Sequence, residues 1–132
     1  MDPQTVSLGE FVKQLTLKIC EIDVQMPFAN ERPWHNLFYQ LKKEDLEGKP
    51  TFLNKLFFDW NTRYPRSQEL SDYIHALHYT GCVSASNPHY DQIEVNESVA
   101  RLWRQEDVHA LEQYLNHAAD LARHHFAGSA EQ

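Results

Sequence analysis

Apolar residues recur along this chain at helical spacing in four successive blocks. In the first, Leu8, Phe11, Val12, Leu15, Ile19 and Ile22 share one face. Such a 3–4 step marks an amphipathic helix. Ser7 followed by Glu10 is a capping box, in which the hydroxyl accepts the N3 amide and the carboxylate reaches back. This predicts a helix from Leu8 to about Glu21, followed by a loop over 23–32 that carries Pro27 and Asn30. Pro33 suits the opening of a second helix, where its missing N–H costs nothing. Trp34, Leu37, Phe38 and Leu41 form its stripe, and Lys42-Lys43 lie in its last turn, where the helix dipole favours cations. Gly48 and Pro50 break the chain. A third helix is expected over Thr51–Trp60, with Thr51 as its cap and Leu53, Leu56, Phe57 and Trp60 as its buried face. After a turn at 61–66, Ser67 caps a fourth helix that buries Leu70, Tyr73, Ile74 and Leu77, and Gly81 ends it.

Beyond Gly81 the period changes. Cys82–Ala85 reads as a short strand, Ser86–His89 as a turn, and Tyr90–Val95 alternates with period two. Two short strands about a turn predict a β-hairpin. Asn96 or Ser98 then caps a final helical region running to about Phe126, with a possible kink at Glu106-Asp107. Val108, Leu111, Leu115, Ala118 and Ala122 follow a heptad-like step.

This order of elements resembles the winged helix-turn-helix superfamily over residues 51–95. Thr51–Trp60 corresponds to the first helix of the pair and Ser67–Tyr79 to the second. Leu77-His78-Tyr79-Thr80-Gly81-Cys82-Val83-Ser84 resembles the exit into the first wing strand, with Asn87-Pro88-His89 as the wing tip. The expected fold is therefore mainly α: one domain with two preceding helices (1–50), a winged helix-turn-helix core with a short β-hairpin (51–97), and a long C-terminal helix (98–126). Some dimeric winged-helix regulators use such a last helix as their dimer seam.

A length of 132 residues fits one domain with its own core. No apolar run approaches the roughly 20 residues that a membrane span needs. The opening Met1-Asp2-Pro3-Gln4 has no basic or apolar leader character, so a cytoplasmic protein is expected. Cys20 and Cys82 sit among apolar neighbours and read as small buried hydrophobes, not as a disulfide framework. The formal net charge is −7, and cutting the chain after residues 50 and 97 gives three segments that are each mildly acidic. Polyanion binding depends on Lys and Arg releasing counterions, so this balance disfavours nucleic acid.

Three functions fit that frame. In a DNA-binding winged helix the second helix enters the major groove. Its outward set here, Gln68, Glu69, Ser71, Asp72, His75 and Tyr79, holds two carboxylates and no Lys or Arg. Arg63 and Arg66 for phosphate and Gln68 for adenine are the DNA-contact candidates. The same surface suits a protein-binding adaptor or assembly subunit better, with Asp72, His75, Tyr79, His89 and Tyr90 as contacts. Trp103, Tyr39, Phe58 and Tyr64 fall off the main stripes, as exposed anchors or as a second core layer. A metal role is third. Asp72, His75 and His78 share a helix face, but zinc needs three or four ligands and no H-E-x-x-H or C-x-x-C is present. No catalytic, metal or cofactor site is expected. A helix of 29 residues would be about 43 Å long, so its overhanging stripe (Val108, Leu111, Leu115, Ala118, Ala122) calls for a homodimer. A kink returning it onto the first helix is the alternative.

Overall fold

The computed structural model describes residues 2–22, 26–27, 31–61, 63–79, 83–84 and 92–130. The side chains of 26–27, 78–79, 83–84, 92–94 and 127–130 lie outside that description. Six α-helices and three short strands follow one another as α1 (Leu8–Glu21), β1 (Met26–Pro27), α2 (Arg32–Lys43), α3 (Phe52–Lys55), α4 (Gln68–Tyr79), β2 (Val83–Ser84), β3 (Gln92–Val95), α5 (Glu97–Trp103) and α6 (Glu112–Ala130). The described residues form a mainly α-helical, multi-helix domain.

α1 starts as its capping box dictates. The Ser7 hydroxyl accepts the Glu10 amide at 3.2 Å, and the Ser7 amide donates back to the Glu10 carboxylate at 3.4 Å. Its stripe delivers Phe11 to the centre of the core. That ring meets Phe38 of α2 edge-on at 5.9 Å, Phe52 of α3 at 5.4 Å and Tyr114 of α6 at 6.0 Å. One side chain of α1 thus touches three other helices, and aromatic pairs at these separations are worth about 1 kcal/mol each beyond their buried area. α2 buries Trp34, Leu37, Phe38 and Leu41 as its spacing requires. A turn from Leu46 to Lys49 follows, with Gly48 at a φ of +82° that side-chain-bearing residues rarely adopt.

The third helix departs from expectation. It is one turn long, Thr51 makes no side-chain cap, and the backbone is extended at Leu56. From there the chain alternates: Leu56 is buried, Phe57 exposed and Phe58 buried. Lys42 of α2 donates to the Leu56 carbonyl at 2.6 Å, satisfying an acceptor at the point where the helix stops. Asp59 and Arg66 then pair antiparallel, with amide-to-carbonyl distances of 2.9 and 3.0 Å. The described residues 56–61 and 63–66 are therefore a ribbon joined by one bridge, and the expected helix stops at Lys55. Trp60, expected in the core, is exposed.

Met26–Pro27, expected within a loop, is an antiparallel edge strand against β3, pairing Met26 with Ile93 and Pro27 with Gln92. An edge position tolerates a proline, which has no N–H to donate. β2 pairs with the other side of β3 through Val83–Val95 and Ser84–Glu94, so the strand order is β1-β3-β2. The expected turn at Ser86–His89 and the terminating Gly81 lie outside the described residues.

The C-terminal region is two helices. Asn96 caps α5, accepting from the Ser98 amide at 2.9 Å, and the chain leaves the helix after Trp103. Asp107 accepts the His109 amide at 3.0 Å and opens a 3-10 turn over His109–Leu111 that leads into α6. α6 packs along α2 and α1, with Trp34 against Phe126 at 4.8 Å, His117 Nε2 3.0 Å from the Glu44 carboxylate and His125 Nε2 2.7 Å from Gln40 Oε1. Leu111, Leu115, Ala118 and Ala122 are buried by the chain itself, and Val108 is half-buried. The stripe that argued for an overhang and a second copy is used within one chain. Trp103 and Phe58 join the core, whereas Tyr39 and Tyr64 are partly exposed. Cys20 is half-buried, and Cys82 lies outside the description.

α4 crosses α1 where Tyr73 lies on Gly9. A Cβ at Gly9 would stand 2.5 Å from Tyr73 Cε1, so Tyr73 occupies the space that a side chain would need. Tyr73 was expected to point inward, and it is partly exposed because it covers α1 from outside. Gly9→Ala is expected to destabilise the protein by about 1 kcal/mol through overpacking. In a Tyr73→Ala background the same change should be neutral or stabilising, because alanine is the better helix former. Urea denaturation of the four proteins measures both, and an equal cost in the two backgrounds would refute the close approach.

Candidate interaction surface

Two polar clusters and one aromatic group gather around the entry to α4. The first cluster fixes that entry. Ser67 caps α4, its hydroxyl accepting the Leu70 amide at 3.3 Å, and the Ser67 amide donates to His35 Nδ1 of α2 at 3.1 Å. His35 is fully buried. With Nδ1 as acceptor, the ring's proton is on Nε2, which has no partner among the described groups. Burial, and then the Arg66 guanidinium, lower the His35 pKa to about 4 against an opposing pull from Asp59. The imidazole is therefore neutral at neutral pH, as its acceptor role requires.

The second cluster lies on the outward face of α4. Glu31, just before α2, accepts from the Ser71 hydroxyl at 3.1 and 3.2 Å and stands 3.4 Å from His75 Nε2. Arg66 donates to Gln68 at 2.7 Å, and Gln68 donates to Asp72 at 2.8 Å. Asp72 and His75 are exposed, as expected of contact residues. The side chain of Tyr79, and His89 and Tyr90 entirely, fall outside the described residues. Of the DNA-contact candidates, Arg63 is exposed, while Arg66 and Gln68 bond to each other and through Gln68 to Asp72. The two residues meant for phosphate and adenine are thus tied to a carboxylate. Among the described residues no three His, Cys, Asp or Glu side chains stand together as metal ligands, and no helix is long and apolar enough to cross a membrane.

The third group escaped the sequence. Trp60 is 60% exposed and Phe57 68% exposed. Trp60 stands edge-on to Tyr39 of α2 at 5.3 Å, and Phe58 meets the same Tyr39 at 5.4 Å. Lys43 Nζ is 5.2 Å from the Tyr39 ring centre, and Lys42 Nζ is 5.8 Å from that of Phe58, both in cation–π range. Residues 32–66 carry seven of the twelve Lys and Arg but four of the nineteen Asp and Glu. Cutting the chain at residue 50 hid this by dividing a basic segment in two. The acidity is not evenly spread: it belongs to the rest of the molecule. A count over the ribbon and its supporting helix would have revealed it.

Two clefts lie elsewhere. One of about 190 Å³ between α1, α5 and α6 is lined by Gln14, Lys18, Glu21, Arg104 and Glu112, and its ion pairs are loose at 3.7 and 3.8 Å. The other, of about 420 Å³, lies between the Gly48 turn and the start of α6. At its edge the Tyr114 phenol is buried without a hydrogen-bond partner among the described residues, and burial followed by Glu44 pushes its pKa well above the usual range.

No family model matches the chain, and neither a curated protein nor a solved structure matches it.

The buried imidazole makes stability pH-dependent with a defined sign. Unfolded His35 takes its proton near pH 6.5, whereas the folded ring refuses it until about pH 4. The stabilisation is complete above pH 6.5 and is lost as pH falls toward 4, by roughly 3 kcal/mol. His125, also lowered by burial and by His124, acts in the same direction. Urea denaturation between pH 7 and 4.5 should therefore show a steep loss that is markedly shallower in His35→Asn, which keeps an acceptor near the δ position but does not titrate. Equal slopes would show that His35 is not the group responsible.

Proposed function

We propose that this chain is a non-enzymatic winged-helix module that binds a protein partner, as an adaptor or as a subunit of a larger assembly. One observation carries the reading: Trp60 and Phe57 are held out to solvent on a segment whose Leu56, Phe58 and Pro65 side chains are buried. Tryptophan, tyrosine and arginine dominate the energetics of protein interfaces, and a rigid aromatic loses little entropy when covered. The winged-helix part is supported by the antiparallel pair β2–β3 that follows α4, to which β1, from before α2, adds a third strand. With α3 reduced to one turn, α2 takes the place of the helix preceding α4 in the pair, joined to it through His35–Ser67 and Glu31–Ser71. DNA ranks second because Arg66 and Gln68 are engaged with each other and the exposed face of α4 carries Glu69 and Asp72.

Replacing Phe57 by a photo-crosslinking phenylalanine analogue tests this in cells. Discrete protein adducts are expected from position 57, lost on Trp60→Ala, and absent from the same analogue at Gln113 on α6. Adducts to nucleic acid, or protein adducts indifferent to Trp60, would overturn the reading. Trp60→Ala itself is expected to shift the melting temperature by no more than about 2 °C, since an exposed side chain contributes within about 0.5 kcal/mol.

A further inference from the structure

The segment that carries Trp60 bridges Arg66 on one edge, and on the other edge Lys42 holds the Leu56 carbonyl while Phe58 and Trp60 follow it. Asp59 gives both its amide and its carbonyl to Arg66. In an extended chain the neighbouring residues direct these groups to the opposite edge. Those neighbours are Phe58 and Trp60, and among the described residues nothing hydrogen-bonds to the amide or the carbonyl of either. An unpaired edge is a template for another strand, and strand addition is a recurring way to hold an extended peptide. Side chains beside that edge then select the sequence.

Here they are aromatic and basic. Trp60 and Phe57 offer ring surface, and Lys43 lies over the ring of Tyr39, which Trp60 also meets. Lys55, two residues before Phe57, and Arg63, in the turn of the ribbon, are exposed. Of the carboxylates nearest in sequence, Asp59 accepts the Asn61 amide at 3.3 Å and Glu44 faces His117, whereas Asp45 and Glu47 are exposed. A positive surface within a chain of net charge −7 attracts a partner of opposite sign while the remaining surface repels it, which favours one orientation of approach.

We infer that the Phe58–Trp60 edge takes an extended acidic segment of the partner protein by strand addition. Its backbone pairs with Phe58 and Trp60, an apolar side chain covers Trp60, and its carboxylates meet Lys43, Lys55 and Arg63. This rests on the protein-binding reading and narrows it. A polyphosphate strand is the competing occupant for the same cations. It is disfavoured because paired backbone edges are something only a polypeptide can satisfy.

The test uses the whole chain and the fluorescein-labelled hexapeptide (Glu-Val)3, capped at both ends, followed by fluorescence anisotropy. Saturable binding with Kd below about 1 mM is expected, weakened at least about tenfold by Trp60→Ala and by Lys43→Glu. The same peptide N-methylated at alternate amides should lose binding, because one of its edges can no longer donate. A labelled (Lys-Val)3 peptide and oligothymidine dT12 serve as the other arms. No saturation by (Glu-Val)3, equal binding of the N-methylated or lysine peptide, or tighter binding of dT12 would each overturn the proposal. Protein adducts at position 57 without (Glu-Val)3 binding would remove only this inference and leave the protein-binding reading standing.

Discussion

A buried backbone amide bound to a neutral imidazole holds the exposed half of this molecule to its core. The Ser67 amide has one acceptor, His35 Nδ1, and it lies between the bridge that closes the ribbon and the first turn of α4. Removing that acceptor would leave a buried donor unsatisfied, a loss of about 1–3 kcal/mol. It would also release two elements at once, because Arg66 pairs with Asp59 on one side and Ser67 caps α4 on the other. The ring's own cost, an Nε2 proton with no partner among the described residues, is the counterpart of that arrangement. Stability and surface geometry are thus coupled through one side chain that no solvent reaches.

The position of the aromatic face follows from this anchoring. Phe58 enters the core beside Tyr39, and the strand's alternation then leaves Phe57 outside. Trp60 rests its edge on Tyr39 without being covered by it. The face is rigid because its neighbours are buried, and it is available because nothing described lies over it. The polar face of α4 sits on the other side of Arg66, with opposite charge character. A partner reading both faces would meet a sharp change of sign across one side chain.

Much of the helical frame was legible in the sequence. α1, α2 and α4 each carry a single stripe that fits one period, and the caps at Ser7 and Ser67 are where their spacing puts them. The reading failed where a segment fits two periods. Leu56-Phe57-Phe58 is apolar throughout, so helical spacing and strand alternation both pass through it, and tertiary contacts from Lys42 and Arg66 decide. β1 was hidden because its two residues include a proline, permitted only by an edge position that the chain does not announce. The C-terminal stripe was read correctly as apolar and assigned to the wrong neighbour. A break at 104–108 turns α6 back along α1 and α2, which a period alone does not reveal.

That return has a consequence for how the chain comes to be folded. Phe11 and Trp34 belong to the first third of the sequence, yet the rings that close over them, Tyr114 and Phe126, come from its last fifth. During synthesis the early helices emerge with their apolar faces bare and wait for roughly 90 to 100 further residues before α6 can cover them. Contacts of such long loop separation are slow to form. The apolar faces of α1 and α2 therefore stay uncovered until α6 has been made.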